Sequence, residues 1–157
     1  MIFVSLGTQD KKFPRLLKEV DKLIDEGIIK DKVIAQIGQT EYTSKNMELV
    51  DFLNKEDVLK YMKEAKFIIT HGGVGTILDA LTLGKKVIAV ARLKKYKEHI
   101  NDHQLEIINE YSKLNYVLDG TYDLKSAILK IDGFKPNKFT SNNDYFVKQL
   151  EEYIKNN

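Results

Sequence analysis

The 157-residue chain contains no cysteine. That excludes disulfides and thiolate chemistry and fits a reducing compartment. It also has almost no net charge: 25 Lys and Arg stand against 23 Asp and Glu, a formal +2. Wholesale nucleic-acid binding is therefore not expected. No apolar run approaches the length that crosses a bilayer. The opening Met1-Ile2-Phe3-Val4-Ser5 has no basic leader, and the chain turns polar by Gln9, so it reads as a strand and not a signal peptide. A cytoplasmic protein is expected, held at a membrane only through something else. Internal repeats and low-complexity segments are missing. So are Gly-x-Gly-x-x-Gly and any Gly-Lys-Ser/Thr, which leaves dinucleotide-binding dehydrogenases and P-loop NTPases without support.

What remains is ordinary soluble-domain composition, 43% hydrophobic and 31% charged. That is enough chain for one domain with a real core. Apolar runs at residues 2–6, 33–37, 47–53, 67–70, 87–91 and 116–118 read as six strands. Segments with helical spacing lie between them. The first follows Pro14 and carries Leu16, Leu17, Val20, Leu23 and Ile24 up to Gly27. Asn54 caps a second, with Asp57 three residues on and Val58, Leu59, Met62 and Ala65 facing inward. Thr76 to Leu83 forms another, stopped by Gly84. Asn101-Asp102-His103-Gln104 leads one through Leu105, Ile108 and Leu114. Asp123 caps one carrying Leu124, Ala127, Ile128 and Ile131. Residues 134–140 read as an irregular crossing, followed by a last helix with Phe146, Val147, Leu150 and Ile154 on one side. Residues 134–157 thus form a C-terminal helical extension of a single domain spanning 1–157. Strand and helix alternate almost throughout. This predicts a doubly wound α/β domain with a mostly parallel six-stranded, Rossmann-like sheet.

In such folds ligands bind at the C-terminal ends of the strands. Gly7-Thr8-Gln9, Gly38-Gln39-Thr40, Phe52-Leu53, His71-Gly72-Gly73 and the loop after Ala91 all fall on that rim. The organising stretch is residues 67–91. An apolar strand ends in Thr70-His71, turns through Gly72, Gly73 and Gly75, and opens into a helix. Glycines let backbone N–H groups approach an anion, and a helix start adds unpaired amides and the positive end of the macrodipole. The chemistry expected there is a phosphate cradle; a simple tight turn is the alternative.

Three motifs, Ser5-Leu6-Gly7-Thr8-Gln9, His71-Gly72-Gly73-Val74-Gly75-Thr76 and Asn101-Asp102-His103-Gln104, occur in this order and spacing. Together they resemble the C-terminal, nucleotide-sugar-binding half of GT-B glycosyltransferases of the family 28 type. The likeness covers roughly residues 1–118. It extends to the bacterial transferases that make lipid II. It is closer to the one-domain donor-binding subunits of split UDP-sugar transferases, found in the dolichol pathway for the second GlcNAc and in capsule and exopolysaccharide synthesis.

The resemblance implies site roles. Gly7, Thr8, His71, Gly73, Val74, Gly75 and Thr76 would bind the donor diphosphate. Asp79 would bind the ribose hydroxyls, or else serve only as a carboxylate in the first turn of its helix. Phe52 and Leu53 would pack on the uracil, or be core at a strand end. Asn101, Asp102 and Gln104 would hold the donor sugar, with N-capping the alternative for the first two. His71 would line the site, though a lone His at a strand end is often a structural hydrogen-bonding residue; His99 and His103 are weaker candidates. Arg92 would help stabilise the leaving diphosphate. Lys94, Lys95 and Lys97 read as a solvated loop, beside a diphosphate or facing anionic lipid.

No Asp-x-Asp occurs, so the resemblance implies no essential metal or other cofactor and an inverting displacement. A complete GT-B enzyme carries a further domain for the acceptor, usually with the base. The donor-like domain here begins at Met1, so the expectation is a membrane-anchored acceptor-binding subunit as partner and a lipid-linked acceptor. The chain would then sit peripherally at the cytoplasmic face. Two alternatives stay open: a non-catalytic UDP-sugar-binding or enhancer subunit, and half of a UDP-sugar epimerase.

Overall fold

The computed structural model describes residues 1–139; the expected last helix lies outside them. In chain order the elements are β1 (Ile2–Ser5), α1 (Pro14–Asp25), β2 (Val33–Gln36), β3 (Glu48–Val50), α2 (Lys55–Glu64), β4 (Ile68–His71), α3 (Val74–Thr82), β5 (Val87–Val90), a short 3-10 turn (Lys94–Tyr96), α4 (His103–Lys113), β6 (Leu118–Asp119) and α5 (Leu124–Ile131). The six strands form one sheet in the order β3-β2-β1-β4-β5-β6. Every pairing is parallel, so the sheet is wholly, not mostly, parallel.

Strand alternation sends successive side chains to opposite faces. Ile2 and Val4 pack with α1 and α5, while Phe3 packs with α2, α3 and α4. Four-residue strands buried on both sides are what continuous apolar runs require. The helix signals work as read. Pro14 is at the first position of α1. Asn54 Oδ1 accepts from Asp57 N–H at 2.8 Å, and Asp123 Oδ1 accepts from Ser126 N–H at 3.0 Å. Beyond α5, residues 134–139 cross back irregularly. Asn115 Nδ2 donates to the Lys135 carbonyl at 3.0 Å, and Phe139 meets Tyr116 edge-on at 5.6 Å.

Most elements keep their expected bounds to within a residue, and three depart by two or more. β3 covers only Glu48–Val50, because the chain leaves the sheet at Asp51 and Phe52 is 52% exposed. β6 is shifted to Leu118–Asp119; Tyr116 and Val117 are instead buried in the core on the α2–α3–α4 side. α3 begins at Val74, two residues early.

The order of the sheet decides where a site forms. The chain runs outward from β1 to β2 and β3, then returns to lay β4 on the other side of β1. The loops after β1 and β4 therefore diverge on either side of a crevice, the switch point of an open α/β sheet.

Candidate functional site

Two clefts meet at this switch point. The first, about 390 Å³, is lined by Ser5, Gly7, Thr8, Gln9, Gln36, Leu53, Lys55, Val58, His71, Gly73, Gly75, Thr76 and Asp79. The second, about 400 Å³, is lined by Gln9, Gly72, Gly73, Val74, His99, Ile100, Asn101, His103, Gln104 and Ile107. Gln9 and Gly73 belong to both, so the turn after β4 is the seam between them.

His71 is the seam's interior support. It ends β4 and is 4% exposed. A Cβ on Gly7 would lie 2.3 Å from its Nε2, and a Cβ on Gly73 would lie 2.4 Å from its Cε1. Both glycines are therefore dictated by one imidazole wedged between two loops. Gly7 also adopts φ +74°, a conformation L side chains rarely accept. Burial, reinforced by Arg92 and His99, pushes the His71 pKa down to about 3, so the ring is neutral near pH 7. Burial, with Arg92 next, likewise lowers His99.

Gly75 is the opposite case. A Cβ there would meet nothing within 4 Å, and the residue is exposed at the open end of α3. No side chain caps that helix, and no acidic residue lies in its first turn. The first intrahelical bond runs from Ile77 N–H to the Gly73 carbonyl at 3.1 Å. The amides of Val74, Gly75 and Thr76 thus precede the intrahelical ladder, and the helix's positive end faces the crevice uncompensated. With a neutral imidazole beside them, these amides suit an anion with several oxygens.

Asp79 lies on the wall of the first cleft, 3.8 Å from Lys55 Nζ. Because α3 starts at Val74, Asp79 is in the second turn; the reading of a first-turn carboxylate is corrected. Leu53 lines the same cleft, whereas Phe52 stands on the rim, close enough for a Gly38 Cβ to meet its ring at 3.6 Å. Thr8 is exposed on the lip.

In the second cleft the polar groups largely hold one another. Gln104, 4% exposed, accepts through Oε1 from Gly72 N–H and Arg92 N–H, each at 3.0 Å, and its Nε2 lies 3.3 Å from His71 Nδ1. Asn101 Oδ1 accepts from His103 N–H at 3.0 Å. Asp102 occupies the N-cap position of α4 but caps nothing there. Its carboxylate is exposed and accepts from Lys94 N–H at 2.8 Å, and the residue is not on the cleft wall.

Arg92 is a correction. It is 1% exposed, and its guanidinium donates to the carbonyls of Leu6, Lys11 and Glu98 while lying 5.0 Å above the Phe13 ring. It props up the loop that carries Gly7, and it is not on the wall of either cleft. Burial lowers its pKa to about 10, which leaves it charged. Beside it, Glu98 is buried and bidentate with Arg15, at 3.0 and 3.1 Å. This pair anchors the lysine-rich loop after β5.

Sequence reasoning assigned no role to Ser5, Gln36, Lys55 or Ile100, all on cleft walls. Strand-end position would have flagged Ser5 and Gln36, since each ends a strand that faces the rim. Lys55 and Ile100 carry no local signal. Among the described residues no group of three or more His, Cys, Asp or Glu gathers as a metal site. No helix among them is long and apolar enough to cross a membrane.

Known proteins resemble this chain in sequence and in fold. The chain is 28% identical over 116 residues to the UDP-N-acetylglucosamine transferase subunit ALG13 of Candida albicans, covering 74% of this chain and 30% of that protein. It is 34% identical over 87 residues to the ALG13 subunit of Debaryomyces hansenii, covering 55% and 39%. It thus spans well under half the length of these relatives. The solution structure of ALG13 superposes with a TM-score of 0.59 at 20% identity, covering 95% of this chain and 94% of that one. Acinetobacter baumannii MurG superposes at 0.56 and 14% identity, covering 96% and 49%. At those identities the superpositions speak for the fold alone. The description of the glycosyltransferase family 28 C-terminal domain matches residues 1–156, and the chain belongs to that family.

Proposed function

We propose that this chain is the donor-binding subunit of a two-component inverting glycosyltransferase that moves a sugar from a UDP-sugar to a lipid-linked acceptor in glycan or polysaccharide biosynthesis. The observation that carries this reading is the pair of clefts joined at Gly73. The first offers free amides at the start of α3 and a carboxylate, Asp79, within one crevice. The second extends past Asn101 and Gln104. A nucleoside diphosphate sugar fits across both. Leu53, with Phe52 on the rim, receives the uracil, and Asp79 the ribose. Gly7, Thr8, His71 and the amides of Gly73, Val74, Gly75 and Thr76 receive the diphosphate. Asn101 and the polar groups around Asp102 and Gln104 receive the sugar.

In this reading the acceptor hydroxyl oxygen attacks the anomeric carbon as the bond to the β-phosphate oxygen breaks. UDP leaves with the electron pair, stabilised by main-chain donors preorganised for it. The acceptor proton passes to a base, which we assign to the partner. No metal is required by this scheme. The yeast relatives are named transferase subunits, and we carry that to this chain. A membrane-anchored, acceptor-binding partner would hold it at the cytoplasmic face.

Calorimetry with UDP tests the site. Micromolar binding is expected, weakened about tenfold or more by Asp79→Ala, the scale of losing one or two ribose hydrogen bonds; binding untouched by that change would remove Asp79 from the site. Co-expression with candidate membrane partners tests the assembly. Full transfer to a lipid-linked acceptor by this chain alone would overturn the two-component reading. Assembly and UDP-sugar binding without turnover would favour a non-catalytic sugar-nucleotide subunit.

A further inference from the structure

The hydrogen bonds of Gln104 determine more than the shape of the seam. Its Oε1 faces two main-chain N–H groups, of Gly72 and Arg92, each at 3.0 Å. Backbone N–H groups only donate, so the side-chain amide has one orientation: oxygen toward them, nitrogen toward His71. That nitrogen is also only a donor. His71 Nδ1, 3.3 Å away, must therefore be the acceptor and carry no proton. A neutral imidazole then carries its proton on Nε2. No hydrogen bond within the described residues involves Nε2. That edge of the ring lies between Gly7 and Gly73 on the wall of the first cleft.

We propose that Gln104 is a positioning residue that locks His71 as its Nε2–H tautomer, so that a buried, uncharged ring donates a hydrogen bond to an anion seated between Gly7 and Gly73. The donor reading above supplies the anion, the diphosphate of a UDP-sugar, and the assignment rests on that reading for its ligand but not for its tautomer. The arrangement has a physical logic. The same pocket disfavours imidazolium, because burial, the Arg92 charge and the neighbouring His99 all oppose protonation. A fixed tautomer delivers a donor at this point without a charge. It also makes donation independent of pH across the neutral range. Gln104 is thereby assigned a role through His71, beyond any contact with the sugar itself.

The experiment reads the ring directly. Long-range proton–nitrogen correlation spectra of the full chain, with the three histidines assigned by single substitution, report which ring nitrogen of His71 is protonated. The expected result is Nε2 protonated and Nδ1 bare, unchanged from pH 8 to pH 5.5. A wild-type ring protonated on Nδ1 overturns the proposal, and substituting His99 and His103 in turn assigns that ring without altering His71 or Gln104. Gln104→Glu supplies the second arm. Its carboxylate accepts from the same two amides but also from a ring N–H, which favours the Nδ1–H form, and its charge raises the His71 pKa. An Nε2 lone pair then faces the phosphates. UDP-GlcNAc, whose diphosphate does not titrate in this range, should bind that variant about tenfold or more weakly at pH 8. Affinity should recover as pH falls and imidazolium restores the Nε2 proton, while the wild type stays flat. A pH-independent loss with the ring tautomer unchanged overturns the role of Gln104. Wild-type protein that shows the expected tautomer yet binds neither UDP nor UDP-GlcNAc overturns the phosphate role and the donor reading together, leaving the hold of Gln104 on the ring established by the spectra.

Discussion

The two clefts on the rim are alike in size but opposite in construction. In the first, the main chain is left open: the amides at the start of α3 have no cap, and Gly75 has empty space where a Cβ would stand. In the second, side chains close on the protein's own main-chain amides and on one imidazole. Gln104 bridges Gly72, Arg92 and His71, Asn101 turns back on His103, and Asp102 leaves the wall to hold the Lys94 amide. The difference teaches that polar residue types on a rim are not equivalent evidence of binding. Groups already paired inside the protein hold a shape; groups left unpaired at the end of a helix are available to a ligand.

Variants should divide along the same line. The largest effect is expected on the scaffold side. Arg92→Met keeps a stem over Phe13 but strips donors from the carbonyls of Leu6, Lys11 and Glu98. Urea unfolding should show a loss of about 3 kcal/mol or more. A loss below about 1 kcal/mol would mean that the loop carrying Gly7 does not depend on that guanidinium.

Acid comes next. His71 is neutral in the folded state, with a pKa of about 3, against 6.5 for an unperturbed ring. Between those values the unfolded chain binds a proton that the folded chain refuses. The contribution of His71 is therefore complete above about pH 6.5 and falls as pH drops toward 3. The slope is at most about 1.4 kcal/mol per pH unit. Unfolding free energy measured from pH 7 to pH 4 should fall less steeply in His71→Asn than in the wild type; parallel curves would place a charged or exposed ring at the seam.

Gly73→Ala tests the seam itself. The added methyl meets the His71 ring, so both properties should suffer: stability by about 1–3 kcal/mol, and UDP affinity with it. Gly75→Ala sharpens the contrast at the smallest scale. Alanine is the better helix former, and its methyl meets no protein atom. Thermal unfolding should show unchanged or slightly raised stability, by up to about 1 kcal/mol, while UDP binding weakens several-fold. A Gly75→Ala protein that binds UDP normally would remove α3's first turn from the ligand path.

Much of this could be read from residue order. Pro14, Asn54 and Asp123 start helices where the pattern places them, and the glycine turn after β4 marks the rim. Boundaries at β3 and β6 were less legible, because an apolar residue near a strand end, such as Phe52 or Tyr116, packs as readily on a loop or under a helix as in the sheet. Arg92 was misread for a related reason. An arginine near an expected phosphate site looks like a ligand until the carbonyls it holds are known. The nearest in sequence belongs to Glu98, and the farthest, of Leu6, is 86 positions away.

The residue order by itself determined the elements, their alternation and the edge on which a site would form, because helix caps, turn glycines and apolar periodicity act within a few residues. Only the tertiary structure decided which polar groups are free. Placing β4 beside β1 sets Gly7 and Gly73 on one imidazole, and bringing α4 under the turn gives Gln104 three partners, two of them more than 30 positions distant. Hydrogen-bond partnership in a buried place depends on what the fold brings within about 3 Å, and no local pattern contains that information.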